Sequence, residues 1–181
     1  MQITAVDQEN NLFRVENVFS KDLEDKVLAT DWTLLPWQRQ EGQEQWKRRC
    51  VINSAIPWID QWDHEMHQRW TDIETFLVRA IRPYCGTAFW IDEPGFECGM
   101  HTDGELPGGL HVTWAGTGTS FYWHNNVKSL RYQVPSQPNC GYIMINQADA
   151  TGYRRLLWHA MPTPVELNTL RLTTYTWITP K

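Results

Sequence analysis

The segment Cys98-Gly99-Met100-His101-Thr102-Asp103-Gly104 sets a histidine and an aspartate two residues apart. Along an extended strand successive side chains alternate between faces, so His101 and Asp103 leave the same one. An imidazole nitrogen and a carboxylate oxygen side by side chelate a divalent ion. The third ligand has to come from elsewhere in the chain, and His159 is the candidate.

Two histidines and one carboxylate on one face of an octahedral ion, with the opposite positions open, form the ligand set of non-haem Fe(II) chemistry. The sequence around the segment is compatible with it. After Cys85-Gly86 the hydrophobic pattern has period two and keeps it to the end. Strands are expected over 87–92, 109–115, 119–123, 141–146, 156–160 and 170–179. Short strands divided by Gly, Pro and Asn turns indicate a sandwich, jelly roll or barrel.

Before Cys85 the pattern is mixed. Asn11 to Phe19 alternates and reads as an opening strand. Ser20 is a helix N-cap, with Asp22 and Glu24 in the first turn, for a helix to about Thr30 whose Leu23, Val27 and Leu28 share a face. Residues 32–46 are polar and irregular and read as a loop, followed by a strand over 46–55. From Pro57, the residues Ile59, Trp62, Met66, Trp70, Ile73, Leu77 and Ile81 recur at helical spacing until Pro83. His64 and His67 fall on the solvated face of that helix. The expected fold is mainly β with flanking helices, in a single domain over 1–181: a helical part to about 85 and a β core over about 86–181.

Composition excludes some classes. A net charge of −5 over 181 residues disfavours a nucleic-acid partner gripped through its phosphates. No apolar run is long enough to span a membrane. Cysteines 50, 85, 98 and 140 form no C-x-x-C pair, and the first residues lack a signal-type apolar core, which together indicate reduced thiols and a cytoplasmic location. Strand parity turns Cys98 away from His101. Eleven tryptophans are a heavy load, and aromatic side chains serve both cores and pockets.

For the third ligand, His111 and His124 are the alternatives. His159 is preferred because Arg171 follows it at the opening of the last strand. There Arg171, Thr173, Tyr175 and Trp177 share one face. An inward arginine needs a partner, and its planar fork matches a carboxylate.

His101-Thr102-Asp103, His159 and Arg171-Leu172-Thr173 resemble the H-x-D, distal His and R-x-S/T pattern of the Fe(II)/2-oxoglutarate-dependent dioxygenases. Gly118-Thr119-Ser120-Phe121-Tyr122 is similar to the family's Gly-rich turn into a core strand, and the resemblance covers roughly 87–179. It implies a double-stranded β-helix (jelly roll) and Fe(II) on His101, Asp103 and His159. It further implies 2-oxoglutarate held through Arg171 and Thr173, and dioxygen as the oxidant. The activity implied is hydroxylation of a small-molecule, amino-acid or peptide substrate with release of succinate and CO2. Where relatives place a Tyr or Asn before H-x-D, this chain has Phe89-Trp90-Ile91-Asp92, which leaves Thr113 as a donor to the cosubstrate. Trp90, Trp114, Tyr122, Trp123 and Trp158 are the substrate-pocket candidates. A cupin-like metal enzyme without 2-oxoglutarate and a non-catalytic β-sandwich binding module are the rival readings.

Overall fold

The structure is a computed structural model that describes residues 1–9, 11–39, 47–103, 106–146, 157–161 and 163–181. In chain order the elements are β1 (Gln2–Asp7), β2 (Leu12–Glu16), α1 (Lys21–Ala29), β3 (Trp37–Arg39), β4 (Arg48–Val51) and α2 (Ile59–Leu77). Then come β5 (Thr87–Asp92), β6 (Cys98–His101), β7 (Gly108–Ala115), β8 (Ser120–Tyr122), β9 (Leu130–Gln133), β10 (Cys140–Ile145), β11 (Trp158–Met161) and β12 (Arg171–Trp177). One sheet has the order β1-β2-β10-β7-β12-β5-β4-β3, the other β6-β11-β8-β9. Neighbours distant in sequence pair antiparallel, as in a jelly roll.

The central strands β7, β10 and β12 are buried on nearly every residue, and side-chain contacts assign the two faces of the large sheet. On β12 the Thr174 hydroxyl accepts the Trp114 indole N–H at 3.3 Å, and Thr176 bonds to Thr87 at 2.7 Å. These residues face the helices. Trp62 of α2 lies at the centre of that layer, its ring centroid 4.2 Å from Phe19, 4.6 Å from Phe89 and 5.7 Å from Trp114. Much of the tryptophan load is therefore helix-to-sheet packing, which contributes about 0.5–1.5 kcal/mol per well-set aromatic pair beyond burial. The opposite face of β12, with Arg171, Thr173 and Tyr175, turns toward the small sheet.

Ser20 caps α1 as expected, its hydroxyl accepting from the Leu23 N–H at 3.2 Å. The same hydroxyl donates to the buried Glu65 carboxylate of α2 at 2.6 Å, which fixes the two helices together. Leu28 departs from the expected buried face and is 46% exposed. α2 stops at Leu77, short of Pro83, because Val78 takes the left-handed conformation (φ 48°). Ile81 is buried for another reason: it bridges Pro180 beside the last strand.

β1, β3 and β9 were not expected, and β3 falls inside the expected loop over 32–46. Residues 40–46 of that loop, Gly104 of the opening segment and residue 156 of the expected 156–160 strand lie outside the described residues. β1 to β4 all join the large sheet, so the first 85 residues supply four of its strands. Among the described residues no helix is long and apolar enough to cross a membrane.

Candidate metal centre

β11 lies between β6 and β8, and its register sets His159 directly opposite His101. Asp103 follows two residues after β6 ends. The ligand atoms of His101, Asp103 and His159 all lie within 4.8 Å of one another. Asp103 Oδ1 is 3.3 Å from His159 Nε2 and 3.7 Å from His101 Nε2. Neighbouring ligands at roughly 2.1 Å from an octahedral ion stand about 3 Å apart, so the donors need only small movements to close on one.

The imidazoles are oriented for that task. His101 Nδ1 is 2.8 Å from the Gly99 carbonyl, and His159 Nδ1 is 3.0 Å from the Leu157 carbonyl. A carbonyl only accepts, so each Nδ1 carries the proton and each Nε2 turns to Asp103. This backbone anchoring is what metal-binding histidines ordinarily have. Burial pushes the Asp103 carboxyl up, but His159 and His101 outweigh it and hold it below the ordinary carboxylate range. His101 is raised to about 9, through Cys98 first, against burial, with the Gly99 carbonyl and Asp103 adding. Such an environment favours positive charge.

Cys98 corrects the parity expectation. Its Sγ lies 3.5 Å from His101 Nδ1 and lines the same cavity. Met161 pairs with Cys98 and His159 with His101, so β6 has one more residue between these points than β11. That bulge flips the alternation and brings the thiol round to the histidine face.

The cavity, of ≈ 100 Å³, is lined by the triad and also by Arg171, Arg48, His111 and Tyr175. Arg171 is 2% exposed, so it is no surface cation. Its Nη1 donates to Asp92 Oδ2 at 2.6 Å and its Nε to the Thr117 carbonyl at 2.7 Å. Gly116 (φ +82°) makes room for it, since a Cβ there would lie 2.8 Å from the Arg171 Cβ. Thr113 and Thr173 are cross-strand partners, both buried, and neither hydroxyl has a hydrogen-bond partner among the described residues. His111 Nδ1 and the Tyr175 hydroxyl are likewise without one. Buried polar atoms left so are rare and call for an occupant or water.

The aromatic candidates disperse. Trp114 packs into the helix-side core, on the face of β7 away from the cavity, which corrects its assignment to the pocket. Trp123 is 56% exposed with the Arg131 guanidinium over its ring. Tyr122 and Trp158 pair with each other across β8 and β11, and each alternates with a cavity-side neighbour, Phe121 and His159. Trp90 lies under Arg48, with the guanidinium 5.3 Å from its ring. His124 is exposed, whereas His111 is buried in the cavity wall. Arg48 and Asp92 are site residues that the sequence does not single out, although strand alternation puts Asp92 on the face opposite Ile91; His111, the alternative third ligand, and Tyr175, on the Arg171 face, line the cavity without being ligands of the triad. A larger hollow of ≈ 660 Å³ beside Phe13 and Phe76 has no imidazole, thiol or carboxylate among the described residues that line it.

No protein-family model and no curated protein sequence matches the chain. Solved structures do. A Pseudomonas putida prolyl-4-hydroxylase matches with a TM-score of 0.62 at 13% identity, over 96% of this chain and 95% of that one. A prolyl hydroxylase from Trichoplax adhaerens, solved with a hypoxia-inducible-factor peptide fragment, matches at 0.65 and 8%, over 95% and 84%. The fold is that of the 2-oxoglutarate oxygenases. A 2OG-Fe(II) oxygenase-family oxidoreductase from Burkholderia pseudomallei matches at 0.62 and 8% identity, over 95% and 85%. The likeness fixes the jelly roll, and at these identities substrate and reaction have to be argued from the residues.

Proposed function

We propose that the protein is an Fe(II)- and 2-oxoglutarate-dependent dioxygenase that hydroxylates a small-molecule, amino-acid or peptide substrate, releasing succinate and CO2. One observation carries this: a single cavity is lined by two imidazoles and a carboxylate from the small-sheet side together with a buried guanidinium from the large sheet. Thr113 and Thr173, with unpartnered hydroxyls, lie in the layer behind the cavity lining, on the strands that carry His111, Arg171 and Tyr175. His101, Asp103 and His159 would hold the iron, which supplies the activation of dioxygen.

The chain's own residues orient and exclude. Gly99 and Leu157 carbonyls keep both histidines in the metal-binding tautomer. Phe121, 5.6 Å from the His159 ring, packs edge-on against Tyr142, which lines the cavity, and the two fill that flank. Arg171 offers its remaining N–H groups to a distal carboxylate. Four free thiols fit a reducing, cytoplasmic setting.

A metal enzyme of this fold that does not use 2-oxoglutarate is the second reading, favoured by the ion pair that Arg171 already makes with Asp92. Calorimetric titration of 2-oxoglutarate into Mn(II)-loaded protein without oxygen separates them. The parent binds, and Arg171→Gln retains metal while losing about 2–5 kcal/mol of cosubstrate affinity, about 30- to 4,000-fold. Equal affinity in the two proteins favours the second reading.

A further inference from the structure

Arg48 of β4, Asp92 of β5 and Arg171 of β12 stand in one row across the large sheet, since Asp92 is the register partner of both arginines. Asp92 is fully buried and takes Arg48 Nε at 2.6 Å and Nη2 at 3.1 Å, with Arg171 Nη1 at 2.6 Å. Two guanidiniums therefore share one carboxylate. Each arginine has five N–H donors and uses two of them on protein acceptors. The Arg48 Nη1 and the Arg171 Nη2 have no acceptor among the described residues, and both side chains line the cavity.

Arg48 is not a loose surface group. Its guanidinium is held over Phe96 at 4.7 Å and Trp90 at 5.3 Å, besides the two-point contact with Asp92. That fixes its plane before any ligand arrives, and a preorganised fork loses little freedom on binding. The charges also ask for an anion. Two guanidiniums and a divalent ion face the carboxylates of Asp92 and Asp103, which leaves an excess of two positive charges, that of one dicarboxylate dianion.

We propose that Arg48 is a second cosubstrate-binding residue: with Arg171 it forms a two-arginine clamp, set by their common partner Asp92, that reads the distal carboxylate of 2-oxoglutarate. This rests on the proposed function, and the test keeps the two apart. It compares parent, Arg48→Gln and Arg48→Lys, all Mn(II)-loaded and anaerobic, by calorimetry. The ligands are 2-oxoglutarate and 2-oxobutyrate, which shares the 2-oxo acid end and lacks the distal carboxylate.

Arg48→Gln weakens 2-oxoglutarate about 10- to 100-fold, the loss of a charge-assisted bond. It leaves metal content and 2-oxobutyrate affinity at the parent's level, and Arg48→Lys recovers part of the loss. A merely structural Arg48 lowers both ligands alike, and that result overturns the proposal. So does a parent-like affinity for 2-oxoglutarate in Arg48→Gln. A parent that binds metal but no 2-oxoglutarate overturns the proposed function and the clamp with it. If the Gln variant does not fold, Arg48→Lys carries the comparison: a selective loss of 2-oxoglutarate affinity supports the clamp, and none refutes it.

Discussion

His111 is a buried imidazole that the fold holds neutral. Burial first, then the neighbouring charges of Arg171 and Arg48, hold its pKa well below the ordinary histidine value. In the unfolded chain it takes up a proton near 6.5. Below that pH the unfolded state binds more protons than the native one, so stability falls as pH falls, by up to about 1.4 kcal/mol per unit, and above it His111 adds no pH dependence. Phenylalanine keeps a ring against Tyr142, which His111 stacks at 4.9 Å, and cannot titrate. Urea unfolding of metal-free protein between pH 7 and 5 is expected to show a shallower loss for His111→Phe than for the parent. Equal losses would mean that His111 is not held neutral. At this scale the sequence disclosed the residues whose chemistry is demanding: a chelating His-x-Asp, a distant His and an inward Arg. It hid Arg48 and Asp92, because their meeting depends on the register of three strands, and it misplaced Cys98, because a bulge in β6 reverses parity.

The secondary elements were legible where a pattern ran long. β5 has the expected bounds, β7, β10 and β12 lie within a residue or two of theirs, and α1 has its cap at Ser20. β1, β3 and β9 are short or lie at or near sheet edges, where burial imposes little alternation. The end of α2 was overrun because Ile81 continues the spacing while Val78 breaks the backbone. Val78 is β-branched, left-handed (φ 48°) and 91% exposed, and its N–H closes the helix on the Glu74 and Thr75 carbonyls. A left-handed residue with a Cβ costs about 1–2 kcal/mol, part of which glycine returns as unfolded-chain entropy. Val78→Gly is therefore expected to stabilise the protein by about 0.5–1 kcal/mol in denaturant unfolding. A destabilised variant would contradict the strained cap.

The whole molecule divides its labour between two faces of one sheet. The helix side is a filled aromatic core around Trp62, and the opposite side carries the polar row and the unpartnered hydroxyls, facing the three donors that β6, the residues after it and β11 of the small sheet supply. The jelly roll makes this possible by setting β6 beside β11 and β12 between β5 and β7, so that residues far apart in sequence share a cavity. That arrangement was legible because fold and ligand pattern implied each other; the fate of the tryptophans was not, because core and pocket ask for the same residue type. The central claim is that this cavity takes Fe(II) and 2-oxoglutarate together. Anaerobic titration of Fe(II) into the protein, with and without 2-oxoglutarate, tests it through the weak visible metal-to-ligand band that only the chelate produces. The band is expected at one iron per chain with 2-oxoglutarate present, and to be absent without it and in Asp103→Ala, which loses the metal. No band in the parent, or an undiminished one in Asp103→Ala, would contradict the account.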